Sequence, residues 1–133
     1  MVLDSSAVID YLLGSGVAAD VQQLLDGEDE LAAPDVLTFE VLAVLRREVT
    51  RGLDEWRASR AVLDLADMAL ALFSSVVLRE RAWALRRNFT IGDALFIALA
   101  EQLSEPLATK DAALAEEAPK HADLHVVLLR DKR

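Results

Sequence analysis

Four acidic side chains share an unusual setting, because each stands alone in or beside an apolar stretch: Asp4, Glu40, Asp93 and Asp111. Carboxylates gathered at one site repel one another and favour protonation. A hard divalent cation relieves that repulsion, and Mg²⁺ or Mn²⁺ prefers oxygen ligands and keeps water for chemistry. Two such ions roughly 4 Å apart suit an in-line displacement at a phosphodiester. If the fold gathers these acids, the sequence predicts metal-dependent phosphodiester hydrolysis.

Three of the four acids also have an ordinary structural explanation. Each stands where its side chain can accept a hydrogen bond from the first turn of a helix: Asp4 before 5–13, Asp93 at the end of the capping motif 90–93, and Asp111 before 112–118. Taken singly, Asp4 and Asp93 are better explained as helix caps than as ligands. The case for a shared site therefore depends on the acid that capping does not explain.

That acid is Glu40, the only charged residue in 36–45. On a helix its neighbours three and four positions away are all apolar, so it is expected on the core-facing side. A buried carboxylate must be paired, protonated or bound to metal, because burying it alone is costly. The ordinary alternative is an ion pair with Arg46 or Arg47.

Strand and helix patterns alternate along the chain. The predicted strands are 1–3, 30–33, 68–73, 107–108 and 125–129, and the predicted helices are 5–13, 17–25, 36–51, 54–65, 74–87, 92–103 and 112–118. Such alternation predicts a three-layer α/β/α fold with a small, mainly parallel central sheet. The helix 92–103 is apolar nearly all round, so we expect it to be buried or at a subunit interface.

Two of the acids follow the carboxyl ends of predicted strands. Ligands of an open α/β sheet bind just outside the carboxyl ends of its strands. Asp4 directly follows the first predicted strand, and Asp111 closely follows the strand 107–108. We therefore expect both side chains at the same edge of the sheet.

Composition narrows the class of protein. The 133 residues suit a single domain, 1–133, with one sizeable core. The absence of cysteine excludes disulfides, thiolate metal sites and a cysteine nucleophile. No apolar run is long enough to cross a membrane and no signal peptide is recognised, which predicts a cytoplasmic protein. The net charge of −9 argues against a general nucleic-acid binder, but not against an enzyme whose bound metal offsets its own carboxylates.

Four motifs follow one another in a fixed order: Val2–Ala7, Ala33–Pro34 with Glu40–Arg47, Gly92–Glu101, and Pro106–Asp111 with Leu114–Ala115. In this order and at these intervals they resemble the PIN-domain ribonucleases, most closely the VapC toxins of bacterial toxin–antitoxin pairs. The resemblance covers nearly the whole chain. It implies a single PIN-like domain in which the four acids meet around one or two Mg²⁺ ions, with Mn²⁺ as a possible substitute.

The resemblance also implies an activity and site roles. RNA is hydrolysed by a metal-activated water, and the acids Asp4, Glu40, Asp93 and Asp111 serve as ligands and water orienters. Ser6 and Thr109 match polar positions that support the acids in the family. Many relatives carry an aromatic residue just before the third acid, where this chain has Gly92, and we expect looser surroundings for Asp93 as a result.

Partners follow from the same resemblance. Relatives commonly form homodimers and are silenced by a cognate antitoxin, which often presents a basic side chain to the acidic pocket. The RNA substrate would be tRNA or another structured RNA. The acidic net charge leaves its selection to local basic side chains, with Arg46, Arg47 and Arg51, or Arg79, Arg81, Arg86 and Arg87, as candidates. For most of these arginines, an ordinary solvated helix surface is the better explanation. Two alternatives remain open, a non-catalytic PIN-fold binding module and a nuclease that acts on DNA.

Overall fold

Five short strands form the centre of the computed structural model, which describes residues 1–131. They are β1 (Val2–Leu3), β2 (Leu31–Pro34), β3 (Leu70–Phe73), β4 (Leu107–Thr109) and β5 (Val126–Leu128). They lie in the order β3-β2-β1-β4-β5, and every neighbouring pair is parallel. The chain thus builds outward from β1 in both directions, which creates a topological switch point between β1 and β4.

Helices cover both faces of this sheet. In the part of the chain that the structure describes they are α1 (Ser5–Leu13), α2 (Ala18–Asp26), α3 (Val36–Thr50), α4 (Glu55–Asp67), α5 (Arg79–Ala84), α6 (Ile91–Leu103) and α7 (Ala112–His121). Val2 and Leu3 are both fully buried. Because successive strand side chains point to opposite faces, both faces are covered at β1. This arrangement confirms the predicted three-layer α/β/α fold with a parallel sheet.

The helix α6 is the most deeply buried helix of the fold. Every residue from Ala94 to Ala100 is buried, and the helix packs against β1 and β2. The prediction that this apolar segment is buried is therefore confirmed. It leads into β4, so its first turn lies at the carboxyl edge of the parallel strands. Within residues 1–131, no helix is long and apolar enough to cross a bilayer.

The largest departure from the predicted elements lies at 74–87, which was expected to be one helix. The structure has a 3-10 turn at Ser75–Leu78 and then only the short α5. Ser74 Oγ accepts a hydrogen bond from the backbone N–H of Val76 at 3.2 Å. The backbone N–H of Ser75 donates to Asp35 at 3.1 Å. The second hydrogen bond ties the segment to the start of α3, and both favour a tight turn over a regular helix.

The last helix is longer than expected. The predicted helix 112–118 stops before Pro119, whereas α7 continues through that residue to His121. Proline removes a single backbone donor. Pro119 lies in the last turn of α7, so the missing hydrogen bond affects only the end of the helix.

Candidate functional site

Asp4 is held in a fixed orientation at the carboxyl end of β1. Its side chain is almost fully buried, with 4% of the residue exposed. Its Oδ2 accepts hydrogen bonds from Ser6 Oγ at 2.9 Å and from Thr109 Oγ1 at 2.7 Å. The side chain makes no capping hydrogen bond to α1. The capping explanation for Asp4 is therefore wrong, and two hydroxyls orient the carboxylate instead.

Thr109 connects Asp4 to Asp111 across the switch point. Fully buried at the end of β4, it donates to Asp4 and accepts from the backbone N–H of Asp111 at 3.1 Å. Asp111 Oδ1 in turn accepts from the backbone N–H of Leu114 at 3.1 Å. Asp111 is therefore a genuine N-cap of α7, as its ordinary explanation predicted. The cap also fixes its position beside the buried pair of Asp4 and Thr109.

Glu40 reaches the same edge from α3 and is half-buried. Its Oε1 is buried and has no hydrogen-bond partner among residues 1–131. The ion pair with Arg46 or Arg47, which was the ordinary alternative, does not form, and Arg47 lies near Glu48 at 3.7 Å. Burial raises the pKa of Glu40, and the charges of Asp4 and Asp93 raise it further, against a hydrogen bond from Ser5. A buried carboxylate oxygen without a partner is what a bound cation would satisfy.

Asp93 combines a helix-capping position with the acidic cluster. Its backbone N–H donates to Thr90 Oγ1 at 3.2 Å, so Thr90 caps α6 as predicted. Burial raises the pKa of the Asp93 carboxyl, and the charges of Asp4 and Asp111 add to this effect, while a hydrogen bond with Thr90 opposes it. Electrostatic effects thus link Asp93 to Asp4, Asp111 and Glu40, and Glu40 to Asp4, so that each of the four predicted acids lies near at least one other.

The four acids form a cluster without a formed metal centre. No three Asp, Glu or His side chains within residues 1–131 are arranged as a metal-binding group. The donor set nevertheless fits a hard divalent cation, because it consists of carboxylates and includes the unpartnered Oε1 of Glu40.

A neighbouring ion pair was missed by the sequence analysis. Asp10 in α1 is 8% exposed, and both of its carboxylate oxygens accept from Lys110 Nζ at 2.9 Å. Asp10 Oδ2 also accepts from the backbone N–H of Val17 at 3.1 Å. A Cβ at Gly16 would lie 2.0 Å from that oxygen, which leaves room only for glycine there. The pair holds Lys110, which lies between Thr109 and Asp111, against α1.

We expect Asp10→Ala to lower the free energy of unfolding by about 1–3 kcal/mol, because it leaves the Val17 N–H without its acceptor and breaks the ion pair. Urea unfolding would measure the loss. Glu117→Ala is the control, because it breaks the exposed pair with Lys120 at 3.0 Å, and it should lower the free energy of unfolding much less. Equal losses in both variants would contradict a structural role for Asp10.

The sequence and its parallel sheet match one class of protein. The chain belongs to the PIN-domain family, whose model matches residues 1–118, and within it to the VapC group. It is 40% identical over 116 residues to Ribonuclease VapC1 of Mycobacterium tuberculosis, covering 86% of this chain and 87% of that protein. It is 30% identical over 128 residues to Ribonuclease VapC12 of the same species, covering 96% and 98%. The predicted resemblance is thereby confirmed.

Solved structures share the fold. VapBC2 from Rickettsia felis, solved with a DNA fragment from their promoter, matches with a TM-score of 0.67 at 14% identity, over 96% of this chain and 97% of that chain. A protein from Pyrobaculum aerophilum matches with a TM-score of 0.70 at 22% identity, over 94% and 81%. At such identities the likeness concerns the fold. The catalytic and metal-binding roles of the acids stay predictions.

Proposed function

We propose that this protein is an Mg²⁺-dependent endoribonuclease toxin of the VapC type, which hydrolyses RNA phosphodiester bonds with a metal-activated water. The observation that carries the proposal is the cluster of Asp4, Glu40, Asp93 and Asp111 at the switch point of the sheet. Within it, Asp4 is oriented by two hydroxyls and Glu40 has an unpartnered buried oxygen. The relatives' names as ribonucleases support the same activity.

Each residue has a distinct part in this proposal. The four acids would hold Mg²⁺, or Mn²⁺ in its place, and act as ligands and water orienters. The bound ion would supply an acidified water and neutralise charge at the phosphate. Ser6 and Thr109 keep Asp4 in one orientation by donating to Oδ2, which is how outer partners tune metal ligands. Thr109 also fixes the backbone of Asp111.

The chain as a whole has a formal net charge of −9, so its non-specific affinity for RNA should be weak. Local basic side chains would therefore select the RNA. Arg81 is the least available of the candidates, since Glu101 binds it at 2.7 Å and 3.2 Å. Arg86 lies over the Trp83 ring at 4.4 Å. The remaining candidates are Arg46, Arg47, Arg51, Arg79 and Arg87.

A cognate antitoxin is the proposed protein partner, and a homodimer is the proposed assembly. An acidic cluster at the sheet edge would accept a basic side chain from an inhibitory peptide. Structural neighbours include VapBC2 and a toxin–antitoxin complex from Klebsiella pneumoniae, which supports a partner of this kind.

Metal removal tests the proposed activity. Purified protein is incubated with total RNA in Mg²⁺, in EDTA, and in EDTA followed by excess Mn²⁺. We expect EDTA to reduce the cleavage rate by at least about 100-fold, because the ion supplies several kcal/mol of transition-state stabilisation. Excess Mn²⁺ should restore cleavage. Cleavage that continues unchanged in EDTA would overturn the proposal, and cleavage of DNA alone would favour the alternative substrate.

A second candidate is a non-catalytic PIN-fold binding module. The absence of a formed metal-binding group among residues 1–131 favours it. Calorimetric titration with Mn²⁺ separates the two candidates. Binding that is weakened by Glu40→Gln supports the nuclease, whereas no binding by the wild-type chain supports the module.

A further inference from the structure

Gly92 lies in the first turn of α6, directly before Asp93, with the Glu40 carboxylate packed against it. A Cβ placed on Gly92 would lie 2.8 Å from Glu40 Oε2, 3.4 Å from its Cδ and 3.6 Å from its Oε1. The first of these distances is too short for a carbon–oxygen contact. The side of Gly92 on which a side chain would stand is therefore taken up by a carboxylate from α3.

The backbone gives no reason for glycine at this position. Within residues 1–131, the glycines with positive φ are Gly14, Gly16 and Gly52, and Gly92 is not among them. Gly92 is helical, and glycine in a helix is less favourable than alanine because it loses more conformational freedom on folding. A stabilising substitution is therefore compatible with the backbone. The obstacle to it is one atom of Glu40.

We propose that Gly92 is a positioning residue that sets the divalent-cation affinity of the acidic cluster. Its missing side chain leaves the space in which the Glu40 carboxylate lies between α3 and α6, next to Asp93. This inference rests on the proposed function, because it assumes that the cluster binds a cation.

The obstructing atom determines what a substitution would change. Glu40 Oε2 lies at the end of a flexible side chain, so an added methyl group is accommodated by turning the carboxylate away, without moving the backbone. Mg²⁺ demands near-ideal ligand geometry, and a displaced carboxylate weakens its binding. Gly92→Ala is therefore expected to stabilise the fold and, at the same time, to weaken the binding of the cation.

The test measures both responses on the full chain. Metal-free protein is melted, and Mn²⁺ alone is titrated by calorimetry into wild type and Gly92→Ala. We expect a melting temperature that is unchanged or raised by a few degrees, together with Mn²⁺ affinity weakened about 10- to 100-fold. Gly27→Ala is the matched control, because its φ is −80° and its added Cβ would meet only backbone oxygens at 3.4 Å and 3.5 Å. It should leave Mn²⁺ affinity unchanged.

A double-mutant comparison assigns the effect to Glu40. In a Glu40→Gln background, Gly92→Ala should cause no further loss of Mn²⁺ affinity, because the ligand that it displaces is already disabled. A further loss of the same size would overturn the proposal, as would unchanged affinity in Gly92→Ala alone. A lowered melting temperature would also overturn it, because the fold itself would then require glycine. A wild-type chain that binds no Mn²⁺ would instead overturn the proposed function.

Discussion

Replacing Asp4 with asparagine is expected to lower the rate of RNA cleavage by about 1,000-fold or more, which corresponds to about 4 kcal/mol of transition-state stabilisation. Asparagine keeps the size of the side chain, so Ser6 and Thr109 can still donate to its carbonyl oxygen. It removes the charge of a carboxylate that lies at the centre of the sheet edge with 4% exposure. Initial rates on a defined RNA with saturating Mg²⁺ would measure the loss.

The matched control for this variant is Asp29→Asn, an exposed aspartate outside the cluster. It makes the same chemical change and should leave the cleavage rate unchanged. The melting temperature of both variants must be recorded, so that loss of activity is not confused with loss of fold. If Asp4→Asn cleaves RNA as fast as Asp29→Asn, Asp4 has no part in the reaction.

The layers of the fold were predictable because their signals are local. Short apolar runs marked β1 and the predicted strand 107–108, which corresponds to β4, and continuous apolarity marked α6. The prediction of one helix over 74–87 was wrong because the signals there are not local. The shape of this segment depends on hydrogen bonds from Ser75 to Asp35, 40 residues away, and such contacts leave no local pattern.

The candidate site was predictable only in part, because isolation of an acid in an apolar stretch indicates burial but not its partner. Asp4 and Asp111 both stood before helices, yet only Asp111 makes the capping hydrogen bond. Asp10 is isolated in the same way, with no other charge between Asp4 and Asp20. Its partner is Lys110, 100 residues away, and the pair contributes to structure. Sequence isolation alone therefore does not distinguish a candidate ligand from half of a structural ion pair.

Replacing Glu40 with glutamine is expected to abolish cleavage and yet stabilise the metal-free protein at neutral pH. Burial and the charges of Asp4 and Asp93 raise the pKa of Glu40 above 4.5, its ordinary value. The folded state therefore binds more protons than the unfolded state, and the stability of the wild type falls as the pH rises from about 4.5 through the raised pKa. Glutamine does not titrate and escapes this loss.

The expected gain at pH 7 is about 1 kcal/mol, because Glu40 is only half-buried and solvent screens its charge. Urea unfolding in EDTA at several pH values between 4 and 7 would measure it. The two proteins should be close in stability at pH 4 and separate as the pH rises. A difference that is the same at every pH, or a glutamine variant that is less stable at pH 7, would contradict the claim that ionisation of Glu40 destabilises the metal-free fold.

Adding Mn²⁺ should reverse this ranking. A cation that binds only the folded state stabilises it by about 2.7 kcal/mol at 100 times its dissociation constant, which exceeds the expected gain of the glutamine variant. The wild type should gain this stability, and Glu40→Gln should gain much less because it lacks the carboxylate. The same repulsion that weakens the metal-free fold would then be the source of its cation affinity. If Mn²⁺ stabilises both proteins equally, Glu40 is not a ligand of the cation.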